Sequence, residues 1–141
     1  MENSDFASLI ETRVLLATYA TSLAAQRRTL DDILIIQNTL DAYSNKVNSG
    51  YRAVEEYLTL HSNIAEASKN SVLKTMMMVI TSDIVNRFSQ LGVYNDQRLS
   101  QTLEEHKVIL KHIIGQDAEM ASKAMREHLK ADLEYSKVLK K

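Results

Sequence analysis

The chain has no cysteine and no proline, and only three glycines in 141 residues. Without cysteine there are no disulfides, no thiolate metal ligands and no cysteine nucleophile. That fits a reducing compartment such as the cytoplasm. Without proline, and with glycine only at 50, 92 and 115, nothing interrupts long helices except those few points. Basic excess is also missing, because 17 Lys and Arg face 18 Asp and Glu for a net charge of −1. Nucleic-acid binding by this chain alone is therefore not expected, since it depends on a field of cations. Long apolar runs are absent too. The longest, Met76-Met-Met-Val-Ile80, falls far short of the roughly 20 residues that cross a bilayer. The acidic start Met1-Glu-Asn-Ser-Asp has no apolar stretch behind it, so no signal peptide is read. Ser-His-Asp sets and glycine-rich phosphate loops are not found either.

What remains is helical periodicity. The sequence predicts an all-α, antiparallel bundle of about six helices forming a single domain over residues 1–141. Helix one covers about 5–27, with a stripe through Leu9, Leu16, Tyr19 and Leu23. Thr29 reads as the N-cap of a helix over about 30–47, with Asp31 and Asp32 in its first turn. That helix is expected to bury Leu30, Ile33, Leu34, Leu40 and Val47. Helix three covers about 51–68, with Val54, Tyr57, Leu58, His61, Ile64 and Ala65 inward. Helix four covers about 71–91, its Met76–Met78 run reading as core filler. Helix five covers about 99–114, with Leu99, Leu103, His106, Leu110 and Ile113 inward. Helix six covers about 118–139, with Ala121, Ala124, Met125, His128, Ala131 and Tyr135 on one face. Gly115 suits a C-cap and Asp117 an N-cap. The tail from Lys137 is expected to fray. Short connections should make sequential helices antiparallel neighbours.

That topology puts three histidines at one height. His61 lies nine residues before the turn at Asn70, and His106 nine before Gly115. His128 lies eleven after Asp117. At about 1.5 Å per residue all three fall within one helical turn of one another. Each sits on an apolar stripe, whereas His112 falls off its stripe and reads as a surface residue. A single such histidine reads as an ordinary core residue. Three together can supply three ligands to zinc, nickel or a similar divalent cation, leaving a position open for water or a small ligand. Arg13 is a weaker candidate for binding a carboxylate, against a surface salt bridge. Tyr57 stands one turn before His61 and either points its hydroxyl into the same space or packs. The acid pairs Glu104-Glu105 and Asp31-Asp32 read as solvated faces and caps.

The ordered series Glu11-Thr-Arg13, Leu23-Ala-Ala25, Leu60-His61, Ala67-Ser-Lys-Asn70, Leu73, Leu103-Glu-Glu-His106, Ile109, Gly115-Gln-Asp117, Ala124-Met125 and His128-Leu129 resembles one family over nearly the whole chain. It is similar to the C-terminal effector-binding (FCD) domain of GntR-type bacterial transcription regulators, FadR subfamily. The resemblance implies a helical bundle that holds a small carboxylate effector, forms a homodimer and regulates transcription. DNA binding would fall to an attached winged-helix domain, for which these residues leave no room. It also implies metal binding by His61, His106 and His128 together with an Asp. That Asp is expected four residues before the first histidine, where this chain has Tyr57 instead, so either the fourth position falls to water or effector, or metal binding is weakened or lost. Arg13 matches the family's arginine, a clamp for the effector's carboxylate. An acid often follows four residues on, and here that position is Ala17. The resemblance implies no catalysis. The alternatives from other classes are a small metal-dependent hydrolase, which needs a base beside the histidines, and a metal-free helical interaction module.

Overall fold

A computed structural model describes the backbone of residues 3–139 and the side chains of residues 5–137. Six helices follow one another: α1 (Asn3–Arg27), α2 (Leu30–Asn48), α3 (Val54–Ala67), α4 (Ser71–Gln90), α5 (Asp96–Ile114) and α6 (Ala118–Leu139). No strand occurs among the described residues.

Four of the helix starts have a side-chain cap. Thr29 forms a full capping box: its side chain accepts from Asp32 N at 3.1 Å, and Asp32 accepts from Thr29 N at 2.8 Å. The side chains of Asn70, Asn95 and Asp117 accept from Leu73 N, Arg98 N and Met120 N. Helix α5 begins three residues earlier than expected, because Asn95 caps it and Asp96 is already helical. α3 begins three residues later than expected, at Val54. The chain turns through left-handed conformations at Gly50 and Gly92, with φ of 79° and 76°. At the α5–α6 corner Gly115 keeps a helical φ of −74°, and Gln116 takes the left-handed position at 54°. α6 runs through Leu139, so the expected fraying at Lys137 does not begin there; 140–141 lie outside the described residues.

α1 is the central element and packs on α3, α4, α5 and α6, most extensively on α6. Here the sequence expectation needs correcting. Packed pairs include α2 with α3, α3 with α4 and α5 with α6, but α1 does not lie along α2, nor α4 along α5. A central helix must satisfy several neighbours, so it carries small residues on most sides. Its buried positions are Phe6, Ala7, Ile10, Arg13, Val14, Ala17, Thr18, Ala20, Thr21 and residues 23–25. The expected stripe was offset: Tyr19 is exposed, and Leu9 and Leu16 are half-buried. In α2 the core side chains are Ile36, Leu40 and Tyr43, while Leu30 and Leu34 face outward. In α4 Met77 is buried but Met76 is exposed. The inward stripe of α5 is as the periodicity indicated.

Three of the corners share one end of the bundle. Arg27 donates to the Ser68 carbonyl at 3.0 Å, and Arg28 to the Ile114 carbonyl at 2.7 Å. These arginines satisfy carbonyls at the ends of other helices, where backbone acceptors lack intrahelical partners. Lys69 pairs with Asp32 at 2.6 Å at the same end. Elsewhere Phe6, Phe88, Tyr94 and Tyr135 pack edge to face around Phe88 at 5.3–5.4 Å. Between these clusters lies a polar centre.

Candidate metal and effector site

His61 on α3, His106 on α5 and His128 on α6 meet in the core, each at most 1% exposed. Their ligand nitrogens all lie within 4.8 Å of one another. His61 Nε2 is 3.1 Å from His106 Nε2 and 3.3 Å from His128 Nε2. Tetrahedral coordination at 2.0–2.1 Å separates ligand nitrogens by about 3.3 Å, so this spacing suits zinc.

The outer nitrogens fix the tautomers. His106 Nδ1 lies 2.8 Å from the Thr102 carbonyl, which can only accept, so Nδ1 carries the proton. His128 Nδ1 lies 2.5 Å from Glu105 Oε1 and donates to that carboxylate in the same way. Both leave Nε2 as a bare lone pair turned toward the other imidazoles. His61 Nε2 can donate its proton to only one of them, and its Nδ1 is buried without a partner. Burial, then the neighbouring imidazole of His106, pushes the pKa of His61 and of His128 well below the ordinary histidine value. Burial lowers that of His106 to about 4, against the opposing pull of the Thr102 carbonyl. At neutral pH the cluster is three uncharged imidazoles, the charge state that a cation binds, and His61 can ligate through Nε2 once its proton sits on the unpartnered Nδ1.

Glu105 corrects the reading of Glu104-Glu105 as a solvated pair. Its carboxylate holds His128 and takes a two-pronged bond from Arg98 at 2.9 and 3.2 Å. Arg98 also donates to the His128 carbonyl at 3.0 Å. A carboxylate behind a histidine sets ring orientation and raises ligand basicity. Glu105 bonds the far edge of the ring, at Nδ1, away from the convergent Nε2 atoms. A surface cleft of about 430 Å³ between α5 and α6, lined by Glu105, His112, Lys123 and His128 among others, leads to this pair. His112, expected at the surface, is half-buried at that cleft.

Tyr57 and Arg13 join the cluster from its other side. The Tyr57 hydroxyl is 3.2 Å from His128 Nε2 and accepts from Arg13 Nη2 at 3.0 Å. The oxygen therefore stands beside the histidines. Burial raises its pKa, against the pull of the guanidinium, so the hydroxyl keeps its proton. Arg13 is completely buried, which excludes the surface salt-bridge reading. Its Nη1 reaches Asp132 Oδ2 at 2.6 Å and the Tyr94 hydroxyl at 3.2 Å. Tyr94 donates to the same Asp132 oxygen at 2.8 Å. Burial opposes the charge on Arg13, yet the hydroxyls of Tyr57 and Tyr94 and the Asp132 carboxylate outweigh it and raise its pKa. Burial pushes the Asp132 carboxyl up, and Arg13 and Tyr94 hold it back. At this contact distance the pair is ionised.

Asp132, Tyr94, Glu105 and Arg98 were not among the residues that the sequence singled out. A signal existed for one of them. Asp132 is four residues after His128, hence on the same face of α6. Tyr94 lies outside any helix, and nothing in its surroundings marked it.

The model for the FCD domain matches residues 8–131, and the chain belongs to that family, the effector-sensing regulatory domains of GntR-type regulators. It is similar to the HTH-type transcriptional regulator LutR of Bacillus subtilis (strain 168), with 29% identity over 133 residues, 92% of this chain and 61% of LutR. The chain thus spans about three fifths of the length of that curated relative. Among solved structures it resembles Streptococcus agalactiae GntR, with a TM-score of 0.78, 22% identity, and coverage of 96% of this chain and 62% of that one. It also resembles E. coli McbR/YncC, with a TM-score of 0.77, 16% identity, and coverage of 92% and 66%. These two likenesses concern the fold. Domains of this family regulate and do not catalyse, so the hydrolase alternative falls.

Proposed function

We propose that this chain is the sensing and dimerising part of a cytoplasmic transcription regulator. It holds a divalent cation, zinc or nickel, on His61, His106 and His128. A small organic acid binds beside it at Arg13 and Tyr57 and controls DNA binding by an attached winged-helix domain. The observation that carries the metal reading is the convergence of three Nε2 atoms, two of them bare by necessity. Spaced 3.1 and 3.3 Å from His61 Nε2, these buried nitrogens form a ligand set of the size that a cation can join. That cation, when bound, would supply positive charge to a ligand held at Arg13 and Tyr57. The chain's own residues orient the ligand: Arg13 offers a planar fork to a carboxylate, and Tyr57 offers a hydroxyl between fork and cluster.

The effector acts only through unequal affinity for two states of the protein. For the homodimer, the support is outward apolar residues on two helices that pack together: Leu15 and Tyr19 on α1, and Val72, Met76 and Val79 on α4. No helix among the described residues is long and apolar enough to cross a membrane. The rival reading, a metal-free interaction module, expects imidazoles bonded apart, whereas here they converge.

Metal analysis of the purified protein, before and after incubation with zinc or nickel, tests the site. One equivalent per chain is expected, and loss of it in His106→Ala. A protein that takes up neither metal, and whose effector affinity is indifferent to that change, would refute the reading.

A further inference from the structure

Arg13 and Asp132 set a condition on the chemistry of the effector. Both are buried, at 0% and 1% exposure, and their charges touch at 2.6 Å. They come from α1 and α6, the most extensively packed helix pair. Each still has an unused polar atom: Arg13 Nε and Asp132 Oδ1 are buried without a hydrogen-bond partner. The pair lies one hydroxyl from the histidines, since Tyr57 bonds both Arg13 and His128. A second hydroxyl, that of Tyr94, bonds Asp132 and Arg13 and stands 3.2 Å from that of Tyr57.

A simple anion cannot take Arg13 without consequence. It would approach a carboxylate already in place, and either share one guanidinium with it or displace it. Displacement leaves Asp132 charged and unpaired in the core, an arrangement proteins avoid. A ligand carrying both signs has no such difficulty. Its carboxylate replaces Asp132 on Arg13 while its cationic end replaces Arg13 on Asp132. Every buried charge then stays paired throughout.

We propose that the effector is a zwitterion of the α-amino acid type, its carboxylate bound by Arg13 and its ammonium group by Asp132, with the hydroxyls of Tyr57 and Tyr94 beside it. This rests on the effector-sensing reading above and narrows its organic acid to one that also bears an amine. In the free domain the two charges satisfy each other, so α1 and α6 are joined directly. In the bound domain they are joined through the ligand. That difference between the two states gives the ligand its leverage on the fold.

The test is a thermal-shift screen of the metal-loaded protein against the standard L-amino acids. Each is run with its α-hydroxy and deaminated analogues, as in L-alanine, L-lactate and propionate. Hits are followed by calorimetric titration. At least one amino acid is expected to bind tenfold or more tightly than both of its analogues. Asp132→Asn should erase that preference and favour the hydroxy acid, while Arg13→Lys should weaken all three. The ranking in the unaltered protein stands even where a variant fails to fold. Analogues binding as tightly as their amino acids would overturn the zwitterion proposal and leave the organic-acid reading in place. A panel in which nothing binds would overturn both.

Discussion

Glu105→Gln should weaken zinc binding without removing a ligand. The carboxylate accepts from His128 Nδ1 at 2.5 Å and thereby keeps the proton off Nε2. With a neutral amide the tautomer is no longer enforced, and Nε2–H competes with the metal. Losing a carboxylate behind a metal-bound histidine typically costs 10- to 100-fold in affinity, about 1.4–2.8 kcal/mol. The Glu105 side chain is 33% exposed, so water screens its charge, and the loss should fall nearer tenfold. Arg98 loses a charge partner in the same variant, so Arg98→Ala serves as the control. It leaves the Glu105–His128 bond in place and should change affinity less. Competition against a chromophoric zinc chelator at pH 7 measures both. Glu105→Gln within twofold of the unaltered protein would refute the argument that Glu105 sets the His128 tautomer.

The metal-free protein should lose stability in mild acid. The folded state refuses protons that unfolded histidines accept, so stability present above pH 6.5 falls as pH drops from there through about 4. His106 alone, lowered from 6.5 to about 4, accounts for about 3 kcal/mol, and His61 and His128 add in the same direction. Urea melts across that pH range should show this slope, flattened in His106→Gln. Arg13→Met should cost about 3–5 kcal/mol by stranding Asp132, and the double variant Arg13→Met/Asp132→Leu should recover much of it. Equal losses in the single and double variants would show that packing, not charge, is at stake. Thr29→Ala removes one arm of a capping box and should cost about 1 kcal/mol in the same melts.

The histidine level was readable because it depends on little: residues counted from turns, and an antiparallel arrangement of the helices involved. Errors in which other helices neighbour each other did not disturb it. The packing of α1 was less readable because a central helix buries small residues. Ala17, Ala20, Thr21 and Ala24 are in the core, while Leu15 and Tyr19 are outside it. A search for large apolar side chains therefore finds the wrong face. The ion pair was harder still. Lys130-Ala131-Asp132-Leu133-Glu134 reads like any solvated helix surface, and only the Arg13 partner, 119 residues away, accounts for one buried acid in it. Glu105 was hidden by the same resemblance to a surface charge. The resemblance to the family strengthened Arg13, already a candidate, and supplied the expectation of an Asp before His61. The structure instead places the Tyr57 hydroxyl beside the histidines and a carboxylate, Asp132, behind it.

The arginine ties at the corner end give the helices a common origin. Arg27 fixes the end of α3 and Arg28 the end of α5 to the same corner of the chain. From that shared end, His61 lies seven residues before Ser68 and His106 eight before Ile114. The two stretches act as rulers of similar length, and the meeting of the imidazoles is encoded in them. One residue added to either ruler would lower its imidazole by about 1.5 Å and swing it about 100° around the helix. The bundle could absorb that change at its surface, but the cluster could not. In this domain, segment length is under tighter constraint than most of the side chains along it.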